Sequence, residues 1–379
     1  MAFANTEILI IDEMSMVGQY MLYQINKRLQ EAKPNKSTQD FAGVSIVLMG
    51  DFAQLPPVTD LPLFLDKRKS KKTSTFQCRG RLLYTNLFNR CYSLNQSMRQ
   101  KGEAQATFRD ILNKIADGSF DKNTWTILRK KAFTMDSTKT IDQFKDAVKL
   151  CAYNKDAKSY NIQRIKDLKK PVALINAVNI PPSAKRFSNS KAGGLPNRTI
   201  LCKDSKVMLI SNLWSEQGLT NGANGYVRYI VYDENTSPPN LPKFVLVYFP
   251  LYTGPSFFTV TSTKEKLVPI CPTTRSWFEY KVHYERKMIP LIPSYAITIH
   301  KSQGQTLEKI ILNIGESEFA PGLTYTALSR AKELENIAFD PKLPSCNRIT
   351  SIFNVRFTIR LDEEKRLKNE EIKRKNEKG

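Results

Sequence analysis

The sequence predicts an α/β protein with two parallel-sheet domains, the second of which carries a small β-rich insertion. Three observations predict this fold. Strand, helix and strand patterns follow one another across residues 8–49. Helical patterns dominate residues 96–170 and are interrupted by the strand-like run Ala147–Ala152. Residues 200–284 instead contain short stretches rich in β-branched and aromatic side chains, after which the α/β pattern returns.

The composition is that of a folded and strongly basic protein. The 379 residues include 58 Lys and Arg against 36 Asp and Glu, a formal net charge of +22, and 41% of them are hydrophobic. This composition excludes a wholly disordered chain, and the length suffices for two or three domains. The positive excess favours an anionic polymer as partner, with a basic surface that has no such partner as the alternative.

Several features predict an intracellular protein that does not associate with membranes. No stretch has the ~20 uncharged apolar residues of a membrane span. The first residues, Met1–Glu7, lack the basic flank and apolar core of a signal peptide. The six cysteines lie 13 to 75 residues apart without a Cys-x-x-Cys pair, which argues against a zinc site and fits a reducing compartment.

The first part of the chain predicts a βαβ unit. Ile8–Ile11 is a short apolar run, which predicts a strand buried on both faces with Asp12-Glu13 at its carboxyl end. Apolar residues at helical spacing follow between Met21 and Leu29. A second buried run, Val44–Met49, ends in Gly50-Asp51. Two such strands around one helix indicate a parallel pair.

The insertion is expected to be a small antiparallel barrel. Strand patterns cover Val207–Ile210, Tyr226–Tyr232 and Phe244–Phe249, and Asn-Gly pairs at 221–222 and 224–225 supply turn chemistry between the first two.

Two charged segments have no assigned chemistry. The basic run Lys67–Lys72 predicts a solvated surface loop, with a phosphate contact as the alternative. The tail from Asp362 mixes six acidic with seven basic residues and has few apolar ones. It predicts either a solvated helix or a disordered end.

The pair Asp12-Glu13 is the first candidate for chemistry. Open α/β sheets bind ligands outside the carboxyl ends of their strands, which is where both carboxylates are expected. In nucleotide hydrolysis one such acid holds Mg²⁺ and its neighbour orients or deprotonates the attacking water. The alternative is that Asp12 only caps the helix that follows.

Three further side chains suit phosphate chemistry. Gln54 lies in the loop Gly50–Val58, whose glycine and two prolines restrict its conformation at the same sheet edge. Arg99 and Arg330 offer planar guanidinium groups, which match phosphate oxygens better than a lysine does. For each arginine the alternative is a surface ion pair.

Six segments in this order resemble the motifs of one enzyme family, the petite-integration-frequency (PIF) DNA helicases of superfamily one, which are close to the RecD-like enzymes. The resemblance spans residues 7–340, and its segments are Ile10–Met16 (Walker B), Gly50–Val58, Asn95–Gln100, Leu219–Gly225, Ala296–Leu307 and Gly322–Ala331.

The resemblance implies an ATP-driven 5′-to-3′ translocase on single-stranded DNA that unwinds duplexes and quadruplexes in DNA repair, recombination and telomere maintenance. ATP and Mg²⁺ would be its cofactors. Asp12 would bind Mg²⁺, Glu13 would activate water and Gln54 would sense the γ-phosphate. Arg99 and Arg330 would stabilise the charge of the transferring phosphoryl group. The DNA strand would contact Thr298, His300, Lys301, Ser302 and Gln303. For His300 the alternative is a core histidine.

The resemblance also implies the domain organisation. Two RecA-like domains are expected, the first incomplete, with an SH3-like β insertion in the second. The expected boundaries are 1–95 for the first domain, 96–200 with 285–350 for the second, 201–284 for the insertion and 351–379 for a charged tail. A monomer that acts on single-stranded and forked DNA inside the cell is expected. If the organism is eukaryotic, the expected compartment is the nucleus, the mitochondrion or both.

One departure from the family pattern matters most. Such helicases need a Gly-x-x-x-x-Gly-Lys-[Ser/Thr] phosphate loop upstream of Walker B. No Gly-Lys-[Ser/Thr] occurs in this sequence, and only seven residues precede Ile8. This predicts an N-terminally truncated helicase. The alternative is a non-catalytic nucleic-acid-binding remnant. An RNA helicase fits less well, because the segments Gly50–Val58 and His300–Leu307 resemble those of the DNA enzymes.

Overall fold

The computed structural model describes residues 3–66, 73–260, 263–351 and 355–376. The predicted basic loop at Lys67–Lys72 lies outside the described residues. The chain divides into two compact units, Met1–Ala152 with Ile299–Gly379 and Tyr153–Thr298. Among the described residues, no helix combines the length and the apolar character that crossing a membrane requires.

Helices and strands alternate in the first unit, whereas strands dominate the second. The helices are α1 Gln19–Ala32, α2 Thr75–Leu87, α3 Ala106–Asp117, α4 Lys122–Lys131, α5 Thr138–Gln143, α6 Asn154–Asp167, α7 Leu323–Leu328, α8 Cys346–Thr350 and α9 Val355–Asn376. The strands are β1 Ile8–Ile11, β2 Ser45–Leu48, β3 Phe133–Thr134, β4 Val148–Cys151, β5 Val172–Asn176, β6 Val178–Ile180, β7 Arg198–Cys202, β8 Lys206–Leu209, β9 Asn224–Val231, β10 Phe244–Tyr248, β11 Phe258–Thr259, β12 Lys266–Ile270, β13 Thr273–Glu279, β14 Val282–Met288, β15 Leu291–Pro293, β16 Ala296–Thr298, β17 Ile310–Asn313 and β18 Ile337–Phe339.

The predicted βαβ unit is present in the first unit, because β1 and β2 pair in parallel from Ile8 opposite Ser45. The prediction that both strands are buried on both faces is wrong. Ile8 is 61% exposed, as is Ile10, and Val47 is 43% exposed. The reason is that the core of α1 and α2 receives only the alternate side chains, such as Leu9 and Leu48. The strands therefore follow the period of two that a half-covered sheet produces.

A second parallel sheet in the first unit confirms the α/β class. β17 pairs in parallel with β4 and β18, and β18 pairs in parallel with β3. Every residue of β4 is buried, as a near-continuous apolar strand in a parallel sheet requires. The carboxyl end of β17 leads towards α7, which carries part of the candidate site.

The second unit is mainly antiparallel. Its largest sheet has the strand order β11-β12-β10-β9-β8-β15, and β13, β14 and β6 form another. The predicted turn between β8 and β9 is confirmed at Asn221-Gly222, where Gly222 has a positive φ. The second predicted turn pair, Asn224-Gly225, is instead the start of β9 and pairs antiparallel with Met208 and Val207 of β8, so that part of the prediction is wrong. The SH3-like character of this region and the domain boundaries stay predictions.

The charged tail is helical and packed on one side rather than solvated. Phe357, Glu363 and Glu371 of α9 are buried, and Leu367 packs against the core of α1 and α2. Tyr84 of α2 donates a hydrogen bond of 2.6 Å to Glu363. The prediction of a solvated or disordered tail is therefore wrong. Its reason is that α9 has few apolar residues and that polar side chains make most of its contacts.

Candidate functional site

The two acids predicted to carry chemistry directly follow β1. Asp12 is exposed, and its Oδ1 accepts a hydrogen bond of 2.7 Å from the backbone N–H of Glu13. Glu13 is half-buried and adopts left-handed backbone angles of φ 53° and ψ 47°. A non-glycine residue in this region is uncommon and often belongs to a functional site. An exposed carboxylate at a strand end suits Mg²⁺, which takes one or two carboxylates besides phosphates and waters.

The loop with Gln54 packs closely against these acids. Gly50 has φ +140°, and a Cβ atom there would lie 2.8 Å from the backbone nitrogen of Met14. The loop then folds on Asp51, whose Oδ1 accepts from the backbone N–H of Ala53 at 2.8 Å. The backbone N–H of Gln54 donates to the Asp51 carbonyl at 3.1 Å. Gly50 thus allows the close approach, and Asp51 fixes the position of Gln54.

The start of α7 touches the same loop. Gly322 has φ +83°, and a Cβ atom there would lie 2.3 Å from the carbonyl oxygen of Ala53, so only glycine fits. One turn later the hydroxyl of Tyr325 donates to Asp51 Oδ2 at 2.7 Å. Burial, followed by the negative charge of Asp51, raises the pKa of Tyr325 far above its usual range. The phenol therefore stays protonated and remains a donor to Asp51.

Arg330 lies immediately beyond α7 and is only 2% exposed. Its Nη2 donates to Gln54 Oε1 at 3.3 Å and to Ser329 Oγ at 2.9 Å, and its Nε donates to the carbonyl of Thr326 at 3.0 Å. Burial, with a smaller contribution from the positive charge of Arg99, lowers the pKa of Arg330 to about 10. The guanidinium is thus held by neutral acceptors, and a phosphate would relieve its unfavourable environment.

Arg99, which lies more than 200 residues before Arg330 in the sequence, also contacts the residues around Arg330. Its Nη1 donates to the carbonyl of Ser329 at 2.9 Å, and its Nε donates to Thr306 Oγ1 at 2.9 Å. Burial lowers the pKa of Arg99, and the nearby carboxylate of Glu13 partly opposes that effect. Arg99 and Arg330 therefore meet at Ser329 as two cations, and the alternative of two independent surface ion pairs does not describe them.

Gln303, which was predicted to contact DNA, instead places its side-chain amide beside Glu13 of the acidic pair. Its Nε2 donates to Glu13 Oε2 at 2.8 Å and to Ser15 Oγ at 3.0 Å. Ser302 is fully buried, and its hydroxyl donates to the carbonyl of Ile299 at 2.8 Å. In this conformation Ser302 stabilises the turn, and Gln303 connects that turn to the candidate general base.

The other predicted DNA contacts occupy different environments. His300 is half-buried, with its ring parallel to that of Phe319 at a centroid distance of 6.3 Å, and burial lowers its pKa. Lys301 is exposed. Thr298 belongs to the second unit, where it is buried at the end of β16. The DNA-contacting roles of all five residues stay predictions.

Sequence reasoning missed the residues that hold the site together. Asp51 and Tyr325 lie inside recognised segments, yet nothing in their spacing shows that they form a hydrogen bond. The same is true of Ser15 and Thr306, which orient Gln303 and Arg99. The only signal that the sequence offers for such partners is that they are polar residues inside a recognised motif and have no role assigned to them.

Comparisons with known proteins show what this chain is similar to. The family model described as PIF1-like helicase matches residues 1–126. The ATP-dependent DNA helicase PIF1 of Danio rerio is 28% identical over 352 residues, which cover 91% of this chain and 48% of that protein. The Homo sapiens PIF1 helicase is 26% identical and covers 90% of this chain and 48% of its own length.

The chain is similar to PIF1 helicases over most of its length, and residues 1–126 match the family model. It spans about half the length of the curated relatives it matches. Its fold is that of the Candida albicans Pif1 crystal structure, with a TM-score of 0.71 at 24% identity over 97% of this chain and 77% of that one. A Bacteroides Pif1 structure bound to single-stranded DNA gives a TM-score of 0.64 at 22% identity, covering 96% of this chain and 76% of that one.

Proposed function

We propose that this PIF1-like chain contributes the hydrolytic and DNA-coupling side chains of an ATP-dependent 5′-to-3′ DNA helicase. The observation that carries the proposal is the convergence of Glu13, Gln54, Arg99 and Arg330 on one point of the first unit. The relatives named above are ATP-dependent DNA helicases, which supports the same activity. DNA repair, recombination and telomere maintenance, in the nucleus or the mitochondrion, are the processes in which we propose that it acts.

The proposed chemistry assigns one task to each side chain. Glu13 accepts the proton of the attacking water, and the amide of Gln303 holds its carboxylate in place. Arg330 and Arg99 donate to the oxygens of the transferring phosphoryl group, where charge develops in the transition state. Gln54, bonded to Arg330, changes partner when the γ-phosphate leaves. Asp12 would hold Mg²⁺, which neutralises phosphate charge when it is bound.

Coupling to DNA would pass through the turn that follows β16. Lys301 is exposed there, whereas Gln303, two residues later, bonds to Glu13. A DNA strand that moves this turn would also move the amide that orients the general base. We therefore propose that DNA binding stimulates hydrolysis through Gln303, and that single-stranded or forked DNA is the ligand of a monomer.

The phosphate loop sets a limit on this activity. A Gly-Lys-[Ser/Thr] sequence is absent from the 379 residues, and arginines cannot replace the backbone N–H groups that cradle the phosphates. Turnover therefore requires that such a loop be supplied from outside residues 1–379. The missing phosphate loop also supports a second candidate function, that of a non-catalytic DNA-binding protein with the same fold.

Binding of single-stranded DNA by residues 1–379 is expected to weaken steeply with salt. The net charge of +22 and the exposed Lys301 supply phosphate contacts, and each releases counterions. The logarithm of the affinity should fall with the logarithm of the salt concentration by about 0.7 per contact. Fluorescence anisotropy of a labelled oligonucleotide across a salt series measures this slope.

A matched pair of variants tests whether the turn takes part. Lys301→Ala should reduce the slope by about one contact, or about 0.7. Lys332→Ala removes an exposed lysine that is paired with Glu308 and should leave the slope unchanged. Binding that is absent or independent of salt would contradict the proposed DNA interaction.

A further inference from the structure

The segment between α2 and Arg99 has little regular structure of its own. α2 ends at Leu87, and the following residues up to Met98 form neither helix nor strand. Tyr92 is 70% exposed and Leu94 is 91% exposed. Residues 88–98, here named the connector, nevertheless lead directly to Arg99, whose position at Ser329 matters for the proposed chemistry.

The carboxyl-terminal helix α9 holds the middle of this connector. Glu371 Oε2 accepts from both the hydroxyl and the backbone N–H of Ser93, at 2.5 and 3.2 Å. The guanidinium of Arg374 lies 3.7 Å from the ring centroid of Tyr92, within the range of a cation–π interaction. Two adjacent residues of the connector are thus bound to one face of α9.

α9 is itself anchored to the layers beneath it. Glu363 accepts from the hydroxyl of Tyr84 in α2 at 2.6 Å and pairs with Arg366 at 2.7 Å. Leu367 packs against the core of α1 and α2. At its other end, Arg360 donates to the carbonyl of Ala116 in α3. The helix therefore ties the connector to elements on both sides of it.

We propose that Glu371 and Arg374 are positioning residues, which hold Tyr92 and Ser93 on α9 so that Arg99 is kept at Ser329 and Thr306. This inference rests on the proposed role of Arg99 at the phosphate. It assigns a function to the charged tail: α9 is a brace for one of the two arginines. Loss of the brace leaves the fold of α1 and α2 intact but lets the Arg99 side chain leave its hydrogen bonds.

Hydrogen exchange on the whole 379-residue chain tests the brace without any nucleotide. In ¹⁵N-labelled protein, Glu371→Ala should accelerate exchange of the Ser93 backbone amide about tenfold or more, because its acceptor is lost. The Arg99 Nε–H, which donates to Thr306, should exchange faster as well. Glu371→Gln keeps an acceptor for Ser93 and should restore both rates. Glu370→Ala, on the same helix and facing Lys373, is the control that should change neither.

The thiol of Cys91 provides an independent readout beside Ser93. Burial, and then the carboxylate of Glu371, raise the pKa of Cys91, while hydrogen bonds with Ser93 and the Tyr92 backbone and the charge of Arg366 oppose them. The pH midpoint of its alkylation, followed by mass spectrometry, should therefore fall in both Glu371→Ala and Glu371→Gln. If Glu371 affected Cys91 only through its hydrogen bonds to Ser93, Glu371→Gln would restore the wild-type midpoint. If its negative charge is what raises the pKa of Cys91, Glu371→Gln would not restore it.

Two outcomes would overturn the proposal. One is an Arg99 Nε–H that exchanges at the wild-type rate while the Ser93 amide is exposed, because α9 would then not reach Arg99. The other is an unchanged Cys91 midpoint in both variants, because Glu371 would then not lie on the connector in solution. Since nucleotide is absent from both measurements, either result leaves the proposed chemistry of Arg99 to be judged separately by turnover.

Discussion

Replacing Arg330 with alanine is expected to lower ATP turnover by about 10³-fold or more, as for other arginines that stabilise a transferring phosphoryl group. The measurement needs a chimera in which a phosphate loop is joined ahead of residue 3, assayed with saturating single-stranded DNA. The effect is large because Arg330 is buried and its guanidinium is oriented by Thr326 and Gln54 before phosphate arrives. Affinity for DNA should change little.

Two further variants show whether charge or geometry matters at this position. Arg330→Lys should restore little turnover, because an ammonium cannot donate to Thr326 and Gln54 while also contacting two phosphate oxygens. Lys332→Ala removes an exposed cation two residues away and should be neutral. Wild-type turnover in Arg330→Ala would return this arginine to a structural role.

Replacing Glu13 with glutamine is expected to lower hydrolysis by about 10²–10⁴-fold in the same chimera, the usual contribution of a general base. Glutamine has nearly the same shape but cannot accept a proton from water at neutral pH. ATP binding should persist, because Glu13 is expected to contact water rather than phosphate. Single-turnover hydrolysis and equilibrium nucleotide binding, measured side by side, separate the two effects.

Asp12→Ala is the matched control for the acidic pair. Loss of the Asp12 carboxylate should raise the Mg²⁺ concentration needed for half-maximal turnover, since Asp12 is the exposed acid of the pair. Glu13→Gln should leave that concentration unchanged. Normal hydrolysis by Glu13→Gln would falsify the Walker B assignment.

The fold class could be predicted because local patterns determine it. The apolar runs that became β1, β2 and β4 were recognisable as strands, and the acids after β1 indicated the sheet edge that carries chemistry. Which faces those strands bury was not recognisable. Ile8 and Val47 are as apolar as Leu9 and Leu48, and only the position of α1 and α2 decides which pair enters the core.

The candidate site was predictable in its members but not in its contacts. Glu13, Arg99 and Arg330 could be recognised from their motifs, since each residue type suits phosphate chemistry. The bonds of Gln303 to Glu13 and of Tyr325 to Asp51 join residues more than 200 positions apart. Sequence spacing carries no information about such contacts, which depend on how the loops at one sheet edge converge.

The packing of α9 shows a different limit. A helix with few apolar residues and many charges predicts solvent exposure, yet Glu363 and Glu371 are buried because each carboxylate has specific donors. The donors from outside the helix, Tyr84 and Ser93, are far from α9 in sequence, so the sequence alone does not indicate these two pairs. Contacts between polar side chains of this kind can be recognised only when the three-dimensional positions of both residues are known.

DNA-stimulated ATP hydrolysis, compared between residues 1–379 and the phosphate-loop chimera, shows whether the chain lacks only a phosphate cradle. We expect no detectable turnover by residues 1–379, with or without single-stranded DNA. We expect turnover by the chimera that rises when DNA is added, because Glu13, Arg99 and Arg330 are already assembled and lack only the phosphate cradle. Robust hydrolysis by residues 1–379, or a folded chimera that binds ATP and DNA yet hydrolyses nothing, would contradict these expectations.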